Sequence, residues 1–80
     1  MHELGVLMEA VKTVNKIATQ NKIERVKHIT LEVGEESSYV PMYFMKLFPL
    51  AIDGFSVLES AELKIVMAHG KGLQIKDIGY

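Results

Sequence analysis

The chain has 80 residues, a formal net charge of −1 and no cysteine. This length allows one small domain, and a hydrophobic content of 49% excludes disorder by composition. The lack of cysteine excludes disulfides, thiolate zinc sites and a cysteine nucleophile, and it agrees with a cytoplasmic location. The charges form no strong basic cluster and no apolar run reaches about 18 residues, so neither nucleic acid nor a membrane is expected as a partner. The start lacks the basic residues of a signal peptide.

Residues 4–19 predict an amphipathic helix, because apolar side chains recur at spacings of three and four. The stripe comprises Leu4, Leu7, Met8, Val11, Val14, Ile17 and Ala18. Residues 26–33 then alternate between apolar and polar side chains, which predicts a half-buried strand. Its expected buried face carries Ile29, Leu31 and Val33.

A second helix is predicted to begin at Pro41, since proline suits the first turn, where its missing N–H has no helical partner to lose. Pro49 should kink or end this helix. The side chains expected on its buried side are Met42, Met45, Leu47, Phe48 and Ala51. Spacing also predicts that Met42, Met45 and Met67 fill the core.

Two further alternating runs, 62–67 and 73–78, flank the short glycine-rich segment 68–72. Such a pattern predicts an antiparallel hairpin. The element order is therefore helix, strand, helix, strand, strand. It predicts an α+β fold of two layers, in which two helices pack on a three-stranded sheet, and a single domain over residues 1–80.

Several segments, in order along nearly the whole chain, are similar to proteins of the HypA/HybF hydrogenase nickel-incorporation family. They are Met1-His2-Glu3-Leu4, the run from Ile29 to Glu35 with Ser37 and Val40 after it, Leu58 to Ile65, and Gly72 to Ile78. The resemblance implies a nickel-binding domain. That family carries two Cys-x-x-Cys pairs, which hold a structural zinc ion, between the last two strands. Here a short loop near 68–72 replaces them, so no zinc is expected, and partner contacts made by that insert are in doubt.

The resemblance also implies that His2 ligates nickel(II), with Glu3 beside it. The Met1 amine, the His2 imidazole and nearby backbone nitrogens can surround one ion, and nickel(II) accepts such nitrogen sets. The positive end of the helix dipole disfavours a charged imidazole, and a ligand must be neutral. Two plainer interpretations stay open: His2 is a frayed terminal residue, or Glu3 is only a favourable acid in the first turn.

The other candidate residues favour no chemistry. His28 is expected on the polar face of its strand, without a carboxylate at ligand spacing, and His69 lies in the predicted hairpin loop. Neither Ser37 nor Ser60 has a convincing histidine and acid for a catalytic set. The chain is therefore not expected to be an enzyme.

Two functions remain. The first is a nickel-binding accessory protein for maturation of a nickel enzyme such as [NiFe]-hydrogenase, and the resemblance implies a nickel-handling GTPase and the apo-hydrogenase as partners. The second is a HypA-like protein-interaction module that has lost metal delivery. A homodimer is also expected, because a small core gains from extra burial and four aromatic residues exceed what two short helices need. These are Tyr39, Tyr43, Phe44 and Phe55.

Overall fold

The computed structural model describes residues 3–80. Within this range two helices and a mixed three-stranded sheet form an α+β domain, which confirms the predicted fold class and element order. No helix in the described range is both long and apolar enough to cross a bilayer. The elements are α1 (Glu3–Gln20), β1 (His28–Gly34), α2 (Pro41–Ala51), a 3-10 turn (Ser56–Leu58), β2 (Glu62–Ala68) and β3 (Leu73–Gly79).

The core lies between the helices and one face of the sheet. The predicted stripe of α1 supplies four buried side chains, namely Leu7, Val11, Val14 and Ala18. They form one cluster with the predicted inner face of β1, Ile29, Leu31 and Val33. Leu4 and Ile17, at the margins of the stripe, are 38% and 37% exposed. The helical period therefore located the buried face, and tertiary packing set its width.

The predicted hairpin of residues 62–67 and 73–78 is wrong. The strand order is β2-β1-β3, so β2 and β3 do not pair with each other. Strand β1 lies between them, parallel to β2 and antiparallel to β3. Parallel neighbours need a crossover, and residues 35–61, which contain α2, provide it.

The burial of β1 reflects its central place in the sheet. All three apolar side chains on its inner face are at most 2% exposed, whereas Met67 on β2 is 48% exposed. Thr30, on the opposite face of β1, is buried as well. The apolar content of the strands does not select β1, because β2 (ELKIVMA) has more apolar residues than β1 (HITLEVG). Two alternating runs and a glycine-rich loop in the sequence do not indicate which strand is central in the sheet.

The segment between β2 and β3 crosses the end of β1 with its backbone in direct contact with the backbone of Gly34. The N–H of Gly34 donates to the Gly72 carbonyl at 2.7 Å, and the N–H of Glu35 donates to the Ala68 carbonyl at 2.7 Å. A Cβ on Gly34 would collide with the carbonyl group of Gly70. Gly34 is therefore required by a close approach of two backbones, and this approach lets a short connection span the central strand.

Strand β3 carries a bulge that follows from its sequence. Thr30 pairs with Asp77, but the next residue, Leu31, pairs with Ile75, so Lys76 is an extra residue. Ile75 and Ile78 are three residues apart, whereas strict alternation requires an even spacing. The bulge absorbs the odd residue and lets both isoleucines pack against the core.

Helix α2 begins at Pro41 as predicted and ends at Ala51, two residues after Pro49. Its buried side agrees with the prediction at Phe48 and Ala51, and Leu47 packs partly buried against the core, but the prediction is wrong for the two methionines. Phe44, Phe48 and Ala51 enter the core, while Met42 and Met45 are 63% and 50% exposed. These two methionines and Met67 are therefore not core residues. Because α2 is apolar almost all round, its sequence left its inner face undetermined.

We predict that Gly34→Ala lowers the free energy of unfolding by about 1–3 kcal/mol, because the new methyl group forces the 69–72 connection away from β1. Urea denaturation measures this loss. Gly72→Ala is the matched control: its Cβ meets nothing within 4 Å and its φ is not positive. Equal stability of the two variants would contradict the close approach.

Candidate functional site

Of the three residues predicted to form the metal site, Met1 and His2 lie outside the described residues. Glu3 is described, and it is the first residue of α1. Its side chain is buried, with 6% exposed, which is unusual for a carboxylate. Its Oε2 accepts a hydrogen bond from the backbone N–H of Val40 at 3.0 Å. Glu3 thus connects the start of α1 to a residue 37 positions later.

Val40 is the N-cap of α2, and its side chain makes no capping hydrogen bond. In a capping box, an acid at the third helical residue accepts the N-cap N–H. That position in α2 is Tyr43, which has no carboxylate. Glu3 provides the acceptor from another helix, and it places its acidic group near the positive end of α2.

The segment before α2 is held by a second polar contact. The hydroxyl of Ser37 donates to the Gly34 carbonyl at 2.7 Å and accepts the N–H of Tyr39 at 3.4 Å. The Tyr39 ring then packs on Phe44, with ring centroids 5.7 Å apart. This turn fixes the path from β1 to Val40 and so presents the Val40 N–H to Glu3.

Two histidines outside the predicted site each meet a carboxylate. His28 Nε2 lies 3.3 Å from Asp77 Oδ1, a carboxylate that sequence spacing did not place beside it. The β3 bulge, which the odd spacing of Ile75 and Ile78 could have predicted, follows directly after the pairing of Asp77 with Thr30, two residues along β1 from His28. A Cβ on Gly79 would collide with the His28 ring, so glycine leaves room for this pair.

His69 lies in the connection between β2 and β3, where its ring is fully exposed and 3.5 Å from Glu35 Oε1. The neighbouring Glu36 carboxylate accepts the Gly70 N–H at 3.0 Å. This hydrogen bond from Gly70 to Glu36 holds the connection between β2 and β3 against the end of β1. Among residues 3–80, no three His, Asp or Glu side chains are grouped so that they could hold a metal ion.

Comparison with known proteins places this fold in a family. The family model for HypA, described as hydrogenase/urease nickel incorporation and metallochaperone, matches residues 1–78. The chain belongs to the HypA family. The match begins at residue 1, so its range covers Met1, His2 and Glu3.

Two curated relatives are named hydrogenase maturation factor HypA. The chain is 39% identical over 72 residues to the protein of Trichodesmium erythraeum, covering 90% of this chain and 60% of that protein. It is 35% identical over 79 residues to the protein of Rippkaea orientalis, covering 99% of this chain and 65% of that protein. The chain therefore spans less than two thirds of the length of these relatives.

Two solved structures share the fold. The solution structure of the Ni metallochaperone HypA from Helicobacter pylori superimposes with a TM-score of 0.85 and 16% identity, covering 99% of this chain and 97% of that chain. A second solution structure of HypA protein gives a TM-score of 0.72 and 19% identity, covering 95% and 86%. At these identities the likeness concerns the fold alone.

We predict that Glu3→Ala lowers the free energy of unfolding by about 1–3 kcal/mol, because the hydrogen bond from the Val40 N–H to the buried Glu3 carboxylate is lost. Glu3→Gln keeps an acceptor oxygen and should cost less. Glu9→Ala, an exposed acid on the same helix, is the control. A chemical denaturation curve for Glu3→Ala that overlays that of Glu9→Ala would show that the contact contributes nothing.

Proposed function

We propose that this chain binds one nickel(II) ion at its N-terminus and passes it to a nickel enzyme such as [NiFe]-hydrogenase. The observation that carries the proposal is the HypA family match, which begins at residue 1 and so includes Met1-His2-Glu3. The ligands are the His2 side chain and adjacent main-chain nitrogens, including the Met1 amine if it is free. Nitrogen donors of this kind suit nickel(II), and nickel is the cargo of the protein.

Glu3 belongs to this proposed site chiefly through its position. Its hydrogen bond to Val40 anchors the first residue of α1 to the start of α2, and His2 is its covalent neighbour. The nickel ligands are consecutive in sequence, so they need no other domain to bring them together. Loss of Glu3 should therefore weaken nickel binding less than loss of His2.

We also propose that residues 1–80 act as a single nickel-binding domain, in which the connection near 68–72 takes the place of a zinc domain. Backbone hydrogen bonds to Gly34 and Glu35 close this connection without a metal ion. The proposed partners are a nickel-handling GTPase and the apo-hydrogenase, both in the cytoplasm. The role is delivery, not catalysis, in keeping with the metallochaperone family.

Nickel titration by calorimetry, with an untagged native N-terminus, tests the site. We expect one nickel ion per chain, and we expect His2→Ala to abolish binding with an unchanged circular dichroism spectrum. His69→Ala and His28→Ala are matched controls, because each removes an imidazole from the sheet region and should leave binding intact. Unchanged stoichiometry and affinity in His2→Ala would refute the site and favour the interaction module.

The pH dependence gives a separate prediction. A ligating imidazole must be deprotonated, so nickel affinity should fall as the pH drops through about 6.5, the reference value for histidine. An N-terminal extension should also weaken binding, since it removes the free amine and crowds His2. Titrations at several pH values, with and without an extension of a few residues, measure both effects. Affinity that is independent of pH between about 5 and 8 would contradict imidazole ligation.

A further inference from the structure

The turn that follows α2 contains the dipeptide Asp53-Gly54 at its centre. The N–H of Phe55 donates to the Ile52 carbonyl at 3.0 Å and closes the turn. Gly54 has a φ of +90°, whereas Asp53 is not among the described residues with a positive φ. A positive φ at the second central position alone is typical of a type II turn, and glycine adopts it without steric cost. The dipeptide therefore lies beyond the regular hydrogen bonding of the helix.

The surroundings of this dipeptide leave its two polar groups unhindered. Asp53 and Gly54 are both exposed. Among residues 3–80, neither the Asp53 carboxylate nor the Gly54 N–H has a hydrogen-bond or ion-pair partner. A Cβ at Gly54 would meet nothing within 4 Å. Both residues line an open depression with a volume of about 450 Å³, so water reaches them.

An aspartyl side chain can react with the backbone nitrogen of the next residue when the two groups can approach each other. The Gly54 nitrogen attacks Cγ of the protonated Asp53 carboxyl group, a C–N bond forms, and one water molecule leaves with the nitrogen proton. The product is a five-membered succinimide ring. Water then opens the ring at either carbonyl. Opening at the Cγ carbonyl restores aspartate, and opening at the α-carbonyl leaves isoaspartate, in which the chain runs through the side chain. A following glycine favours ring closure because it has no Cβ to crowd the attacking nitrogen.

Asp77, the other aspartate of the chain, lies in a contrasting environment. It is paired with Thr30 within the sheet, and its carboxylate is 3.3 Å from His28 Nε2. The next residue, Ile78, is branched at Cβ and packs against the core. The sheet therefore holds the Asp77 backbone, and a bulky neighbour shields the nitrogen that would attack.

We propose that Asp53 is a site of spontaneous modification, at which the folded chain forms a succinimide and then isoaspartate, whereas Asp77 stays intact. Isoaspartate inserts one methylene group into the backbone between Asp53 and Gly54. The hydrogen bond from Phe55 to Ile52 spans this insertion, and both of these side chains pack against the core. The modification thus loosens the exit of α2. It involves none of residues 1–3, so it does not depend on nickel binding.

Ageing the full chain for weeks at neutral pH and physiological temperature tests the proposal. An endoproteinase that cuts before aspartate does not cut before isoaspartate. Cleavage between Ile52 and Asp53 should therefore be lost with time, while cleavage between Lys76 and Asp77 persists. A protein isoaspartate methyltransferase with labelled S-adenosylmethionine should label the tryptic fragment of residues 47–64. This fragment contains no asparagine, so deamidation does not contribute to its label.

Two variants serve as controls, and circular dichroism establishes that each is folded. Asp53→Glu keeps the negative charge but requires a slower six-membered ring closure, so the fragment should stay unlabelled. Gly54→Ala adds a Cβ beside the attacking nitrogen and should slow the labelling. An aged native chain with no label in fragment 47–64 would overturn the proposal, as would equal loss of cleavage at the two aspartates. Labelling that persists in Asp53→Glu, or that is as fast in Gly54→Ala as in the native chain, would overturn it as well.

Discussion

The connection between β2 and β3 crosses the carboxyl end of β1, and the backbone of Gly70 lies directly against Gly34. Three backbone hydrogen bonds, donated by Gly34, Glu35 and Glu36, hold this crossing in place. Because the crossing passes over β1, strands β2 and β3 lie on its opposite sides. Strand β1 is then central, its inner face is fully buried, and both helices have a sheet to cover. A side chain at Gly34 would disturb all of these features together.

The proposed nickel site depends on the same end of the fold. The turn after Gly34 is fixed by Ser37 and leads to Val40, whose N–H meets the buried carboxylate of Glu3. Glu3, which follows His2 in the chain, is therefore held in place by a tertiary hydrogen bond. This gives Glu3 a structural role beside any contribution to metal binding. Variants of Glu3 must be judged by stability as well as by nickel affinity.

Helix α2 has apolar residues on both its inner and its outer face. Its inner face supplies Phe44 and Phe48 to the core, and its outer face exposes Met42 and Met45. An isolated surface helix with apolar residues all round would be poorly solvated.

The sequence by itself determined the features that depend on near neighbours. Helical spacing located α1, alternation located the strands, Pro41 marked the start of α2, and ordered short motifs indicated the HypA family. The odd spacing of Ile75 and Ile78 also indicates the β3 bulge. These features follow from backbone periodicity and steric limits over a few residues.

Only the tertiary structure decided the strand order, the partner of Glu3, the His28–Asp77 contact and the exposed face of α2. Each of these joins segments that are distant in sequence, or compares the burial of one element with that of another. Local patterns give the direction in which a side chain points, but not which surface it meets. That outcome depends on the total apolar area buried and on which backbones can approach each other, as Gly34 and Gly70 do.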